Sequence, residues 1–137
     1  MKALFDTSVI VAFSEARHIH HRASFAAVLA HQTEAVIDTH TLAEIYATLT
    51  GKMRKPLNEA LFFVQMQSDR FEIVELGLAD YLTTSAACAA NGISGAAVYD
   101  ALHARSALKA GVDVIYTWNT KDFLRLGPEI ARLVRTP

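Results

Sequence analysis

Lys2-Ala3-Leu4-Phe5-Asp6-Thr7-Ser8-Val9-Ile10-Val11-Ala12-Phe13 decides the fold class. Lys2 to Asp6 reads as a short buried strand that ends on an acid. Thr7 and Ser8 then open a helix through Phe13, because small hydroxyl side chains favour a helix start. A strand that passes straight into a helix is the first half of a βα unit, and the rest of the chain repeats it.

Outward from this unit, residues 14–21 form a polar loop, and Arg22 to His31 carries Phe25, Val28 and Leu29 at helical spacing. Ala35 to Asp38 is a second short strand. Leu42, Ile45, Tyr46 and Leu49 space a helix that Gly51 is expected to stop. Pro56 opens a helix to about Met66. Phe71 to Glu75 alternates as a strand, and Leu78 to Asn91 is a helix rich in alanine. Ala97 to Ala110 is a helix closed by Gly111. Val112 to Thr117 is a strand, Thr120 to Leu124 a single helical turn, and Arg132 to Arg135 a last strand. Strands alternating with helices predict a mainly parallel sheet of four to five strands covered on both faces, a three-layer α/β/α architecture. Ligands of such sheets bind at the carboxyl ends of the strands.

At 137 residues the chain is expected to be a single domain, residues 1–137, large enough to bury its own core. Hydrophobic residues at 52% and charged residues at 20% exclude intrinsic disorder. The lone cysteine, Cys88, excludes an internal disulfide and a Cys-based zinc cage, and fits a reducing cytoplasm. The longest apolar runs, such as Val9 to Phe13, are far too short to span a membrane, and Asp6 interrupts the only segment that resembles a leader. With 14 acids against 13 Lys and Arg, the net charge of −1 supplies no bulk basic field.

Four acids fall at predicted strand ends or helix starts. Each has a structural explanation: Asp6 as an N-cap, Glu44 in a capping box with Thr41, and Asp100 and Asp122 as first-turn acids at helix N-termini. Together they converge on one rim of the sheet, where nearby carboxylates repel unless a cation offsets them. Hard divalent cations such as Mg2+ or Mn2+ take oxygen ligands and retain water. Setting these four acids aside leaves a weakly basic remainder, so a near-neutral total does not argue against a polyanionic substrate.

Four motifs in order, Leu4-Phe5-Asp6-Thr7-Ser8, Thr41-Leu42-Ala43-Glu44-Ile45-Tyr46, Val98-Tyr99-Asp100-Ala101-Leu102-His103-Ala104 and Val114-Ile115-Tyr116-Thr117-Trp118-Asn119-Thr120-Lys121-Asp122-Phe123, give the chain its resemblance to PIN-domain ribonucleases of the VapC toxin type. The resemblance spans nearly the whole chain. It implies a three-layer PIN-like fold and a metal-dependent endoribonuclease in the cytoplasm, with RNA as substrate, an antitoxin protein as partner and a homodimer as the assembly. Matched residue by residue, it implies that Asp6, Glu44 and Asp100 take the three acidic positions. Asp6 and Asp100 then bind Mg2+ or Mn2+ directly, while Glu44 binds through water or orients and deprotonates the attacking water. In place of the Asp that many relatives carry, this chain has Asn119, with Asp122 three residues on, expected behind the direct ligands or at a second, weaker metal site. Thr7, Ser8, Thr117 and Asn119 are the supporting polar residues.

Lys52, Arg54 and Lys55 form the densest basic cluster, and Lys121 with Arg125 a second; both are candidates for phosphate contact, with Arg105 and Lys109 adding to them. His18, His20, His21 and His31 could suggest a zinc site, but the first three lie in the predicted loop with no acid or thiol at a ligating spacing; a solvated loop near the RNA groove is the reading, with structural zinc as the rarer outcome. His103 shares a helix face with Asp100 and either touches the acidic site or pairs with that acid. Leu57, Leu61, Phe62, Val64 and Met66 exceed one buried stripe; the excess is either ordinary core or an exposed surface for an antitoxin segment or a second copy. A haloacid-dehalogenase-type phosphatase requires an acid where Ser8 stands, and a receiver domain requires an acid pair that Lys2 to Phe5 lacks. The remaining alternative is a PIN-like module that binds RNA or protein without cleaving.

Overall fold

In the computed structural model, which describes residues 1–137, the chain runs β1 (Ala3–Phe5), α1 (Thr7–Ser14), α2 (His21–Ala30), β2 (Ala35–Asp38), α3 (Thr39–Ala47), α4 (Leu57–Arg70), β3 (Glu72–Val74), α5 (Leu78–Ala90), α6 (Ala97–Ala110), β4 (Val114–Tyr116), α7 (Thr120–Leu124), α8 (Pro128–Ala131) and β5 (Val134–Arg135). The strands form one five-stranded sheet in the order β3-β2-β1-β4-β5, and every pairing is parallel. Parallel pairing follows from the helices inserted between strands.

Alternate strand residues feed opposite cores. Ala3, Phe5, Ala35 and Ile37 pack with α1 to α4, whereas Leu4, Val36 and Ile115 face α6 to α8. Burial on both faces explains why these strands are uniformly apolar. Phe5 is fully buried and stacks on Tyr116, its register partner on β4, with ring centroids 5.3 Å apart.

Three local expectations are corrected. Helix α3 begins at Thr39, because Asp38 caps it by accepting from the Thr41 N–H at 2.8 Å and the Thr41 hydroxyl at 3.1 Å. The capping box of Thr41 and Glu44 therefore does not form, and Glu44 stands in mid-helix. Gly51 does not stop that helix. The helix widens through Thr48–Lys52 into a π-type turn, with the Thr50 hydroxyl donating to the Tyr46 carbonyl at 2.8 Å, and the left-handed residue is Arg54 at φ 52°. Pro56, with ψ 141°, precedes α4 instead of opening it. Helix α8 is an addition: Gly127 at φ 109° turns the chain and Pro128 takes the first helical position, where its missing N–H costs nothing. Gly111 closes α6 at φ 63°, in the left-handed conformation its sequence position suggests.

Candidate active site

The sheet order reverses at β1. β2 and β3 lie to one side and β4 and β5 to the other, so a crevice opens where β1 and β4 end. Asp6 follows β1 there and is only 2% exposed. One of its oxygens accepts from the Ser8 hydroxyl at 2.6 Å and the Val9 N–H at 3.2 Å, the other from the Thr117 hydroxyl at 2.6 Å. Ser8 Oγ in turn accepts from the Trp118 N–H at 3.0 Å, and Thr117 Oγ1 from the Asn119 N–H at 2.8 Å. The turns after β1 and β4 are thus tied together through the Asp6 carboxylate. Asp6 is both the N-cap of α1 and a site acid.

Asp100, in the first turn of α6, faces the same space. Burial and the nearby charge of Asp6 push its carboxyl up to about 6, with Asp122 and Glu44 adding and His103 opposing. Burial also raises Asp6, against the opposing effects of His103 and of its three hydrogen-bond donors. Neither acid has an ion-pair partner. Asp6, Thr7, Ser8, Val11, His18, Glu44, Thr48, Lys52, Asp100, His103, Trp118 and Asn119 line a cavity of about 360 Å³.

His103 does not pair with Asp100. Its Nδ1 lies 2.7 Å from Asp38 Oδ2 and its Nε2 2.6 Å from Glu44 Oε1, and the ring is 1% exposed. Burial pushes the imidazole down, but Asp38 and Glu44 outweigh it and hold His103 well above its ordinary value. For Asp38, burial pushes up, and the His103 charge and hydrogen bonds prevail to hold it low. Asp38 is the residue that sequence reasoning missed. Its signal was its place, ending β2 as Asp6 ends β1.

A family model for the PIN domain matches residues 3–127. The chain belongs to the PIN domain family. No curated protein matches it in sequence. Among solved structures, this PIN domain resembles Mycobacterium tuberculosis VapC20, a sarcin-ricin loop cleaving toxin, at TM-score 0.75 and 14% identity over 88% of this chain and 92% of that one. It resembles VapBC2 from Rickettsia felis, solved bound to a DNA fragment from its promoter, at TM-score 0.71 and 18% identity over 99% and 98%. A third likeness is to PAE2754 from Pyrobaculum aerophilum, at TM-score 0.65 and 18% identity over 98% and 83%. At these identities the likeness is one of fold.

Two observations bear on whether the PIN domain's residues fit a divalent cation. Asp6 and Asp100 are oxygen donors with no ion-pair partner, and Thr7 Oγ1, on the same cavity wall, is buried without a hydrogen-bond partner. No three His, Cys, Asp or Glu side chains gather closely enough to hold a metal by themselves. The arrangement fits a hard cation held by two carboxylates that keeps water for the rest of its shell. It does not fit structural zinc. The four candidate histidines do not gather into one ligand set: His18 accepts from the His20 N–H at 3.1 Å, His20 stacks on Trp118 at 3.7 Å, His21 meets the Ala12 carbonyl, and His31 meets Tyr116.

The other candidates separate cleanly. Asn119 lines the cavity, while Asp122 stands outside it, 3.9 Å from Arg125, near enough for its charge to act on Asp100. Lys52 reaches the cavity wall; Lys55 pairs with Glu15 at 3.2 Å, and Arg54 and Lys121 are exposed. Arg105 and Lys109 are committed to Asp80, at 3.1 and 2.9 Å. On α4, Leu57, Leu61, Phe62 and Met66 are exposed while Val64 packs on the core. No helix is long and apolar enough to cross a membrane.

Proposed function

We propose that this PIN domain is a Mg2+- or Mn2+-dependent endoribonuclease of the VapC toxin type, acting in the cytoplasm under the control of an antitoxin. The observation that carries the reading is the pair Asp6 and Asp100, a buried and a half-buried acid that have no ion-pair partner and that His103 offsets only in part. A structural role would leave such a pair repulsive; a divalent ion removes the repulsion. When bound, that ion supplies an activated water and offsets charge at the scissile phosphate.

The chain's own residues do the remainder. Ser8, Thr117 and the Val9 N–H fix the orientation of the Asp6 carboxylate, which would hold the ion together with Asp100. Asp100 approaches from α6. Glu44 orients the attacking water and takes its proton. Asn119 offers an uncharged amide at the rim, and Lys52 meets the RNA phosphate next to the scissile one. The stacked pair Trp118 and His20 gives an unpaired base a flat surface. The exposed apolar face of α4 is the surface proposed for the antitoxin and for a second copy of the chain.

The test is cleavage of total RNA by purified protein with Mg2+, with Mn2+ and with chelator. Wild type is expected to cut only with metal. Folded Asp6→Asn and Asp100→Asn proteins are expected to lose at least about 100-fold in rate. Variants that cut as well as wild type would overturn the mechanism. RNA binding with no metal-dependent cutting would favour the silent binding module.

A further inference from the structure

We propose that His103 is a positioning residue which, anchored by the buried carboxylate of Asp38, fixes Glu44 in the acidic cavity. The proposal rests on the reading of Glu44 as the residue that orients water. Glu44 is a long side chain in the middle of α3, one quarter exposed, with freedom to take several rotamers. His103 removes that freedom. Both ring nitrogens lie within 2.7 Å of a carboxylate oxygen. An ionised carboxylate only accepts, so each nitrogen donates and the ring bridges two acids.

The bridge is supported at its far end. Asp38 is fully buried, and while Oδ2 accepts from His103, Oδ1 accepts from the Thr41 N–H and hydroxyl. At the near end Glu44 Oε1 is hydrogen-bonded by His103 at 2.6 Å, with His40 Nε2 further off at 3.7 Å from the same oxygen, which leaves Oε2 free of protein partners on the wall it shares with Asp6 and Asp100. Asp100 and His103 are one turn apart on α6, so the same contact sets the separation of the α3 and α6 walls. The bland reading is a buried ion pair that only stabilises the fold.

A double-mutant cycle separates the two. His103→Gln is expected to lower kcat on RNA about 10- to 100-fold with KM unchanged. In a Glu44→Gln background it is expected to cost nothing further. An equal loss in both backgrounds would show a role independent of Glu44 and overturn the proposal. If His103→Gln does not fold by circular dichroism, Asp38→Asn/His103→Gln, which leaves no unpaired charge at Asp38, replaces it. A second readout needs neither RNA nor metal. ¹⁵N NMR of the histidine rings in wild type is expected to show protons on both His103 nitrogens, and one bare nitrogen would overturn the bridge. Wild type that shows both protons yet cuts no RNA would overturn the proposed function and leave the bridge standing.

Discussion

Asp80 and Asp100 each stand in the first turn of a helix, on α5 and α6, which pack against one another. Their surroundings are opposite. Asp80 accepts from Lys109 Nζ at 2.9 Å, from the Gly77 N–H at 2.9 Å and from Arg105 Nε at 3.1 Å, and these hold its carboxyl well below the usual range. Asp100 accepts from no donor, and burial with the charge of Asp6 pushes it to about 6. Position in a helix does not distinguish a structural acid from a site acid. The supply of compensating donors does: a carboxylate matched within the protein secures the fold, and an unmatched one is the acid that the proposed function assigns to a cation.

The largest expected contrast is in catalysis. Asp100→Asn should lose at least about 100-fold in RNA cleavage while Asp80→Asn stays within about twofold. Steady-state rates on folded protein, with melting temperatures beside them, check this. Comparable losses in both would erase the distinction. Asp80→Asn should instead lower the melting temperature, because it weakens two ion pairs and the cap of α5.

An intermediate effect is expected from metal. Saturating Mn2+, at 100 times its dissociation constant, should add about 2.7 kcal/mol to wild-type stability. Thermal unfolding with and without Mn2+ reads it. The gain should persist in Asp80→Asn and vanish in Asp100→Asn; a gain that survives in Asp100→Asn would place the ion elsewhere.

The smallest effect is in pH dependence without metal. Asp100 ionises near 3.8 in the unfolded chain and at about 6 in the folded one. Between these values the folded state binds more protons, so wild type loses stability as pH rises through that window. Asp100→Asn lacks this loss. It should melt a degree or two above wild type at pH 7, the effect being softened by solvent screening, and match it below about pH 4. The Asp80 contribution has the opposite sign: it is present above the unfolded value and is lost on acidification. The Asp80 loss falls below about pH 4 and the Asp100 loss between 3.8 and about 6, so melting curves from pH 2 to 8 distinguish the two.

The sequence made much of this legible where the signal was local. Ala35–Asp38, Ala97–Ala110 and Thr120–Leu124 lie where apolar spacing and Gly111 place them, and Asp6, Glu44 and Asp100 reach one cavity as their motifs imply. Legibility failed where partners are distant or elements short. Asp38 and His103 are 65 residues apart and His103 and Glu44 59, so no window of sequence contains the bridge. Helix α8, at four residues, is too short to show a period. Gly51 looked like a stop because glycine usually is one, yet its backbone stays right-handed while Arg54 turns. Asn119 and Asp122 were separated only by which of them faces the cavity.

The central place of β1 has a kinetic consequence. The hydrogen bond from Thr117 to Asp6 joins residues 111 apart, and β1 is complete only when it has paired with β2 on one side and β4 on the other. Closing so large a loop is entropically slow, and it comes before any reward from the contacts it makes. Fragments that lack either β1 or β4 lack half of the Asp6 environment. Folding of the sheet and assembly of the Asp6 surroundings are therefore the same event.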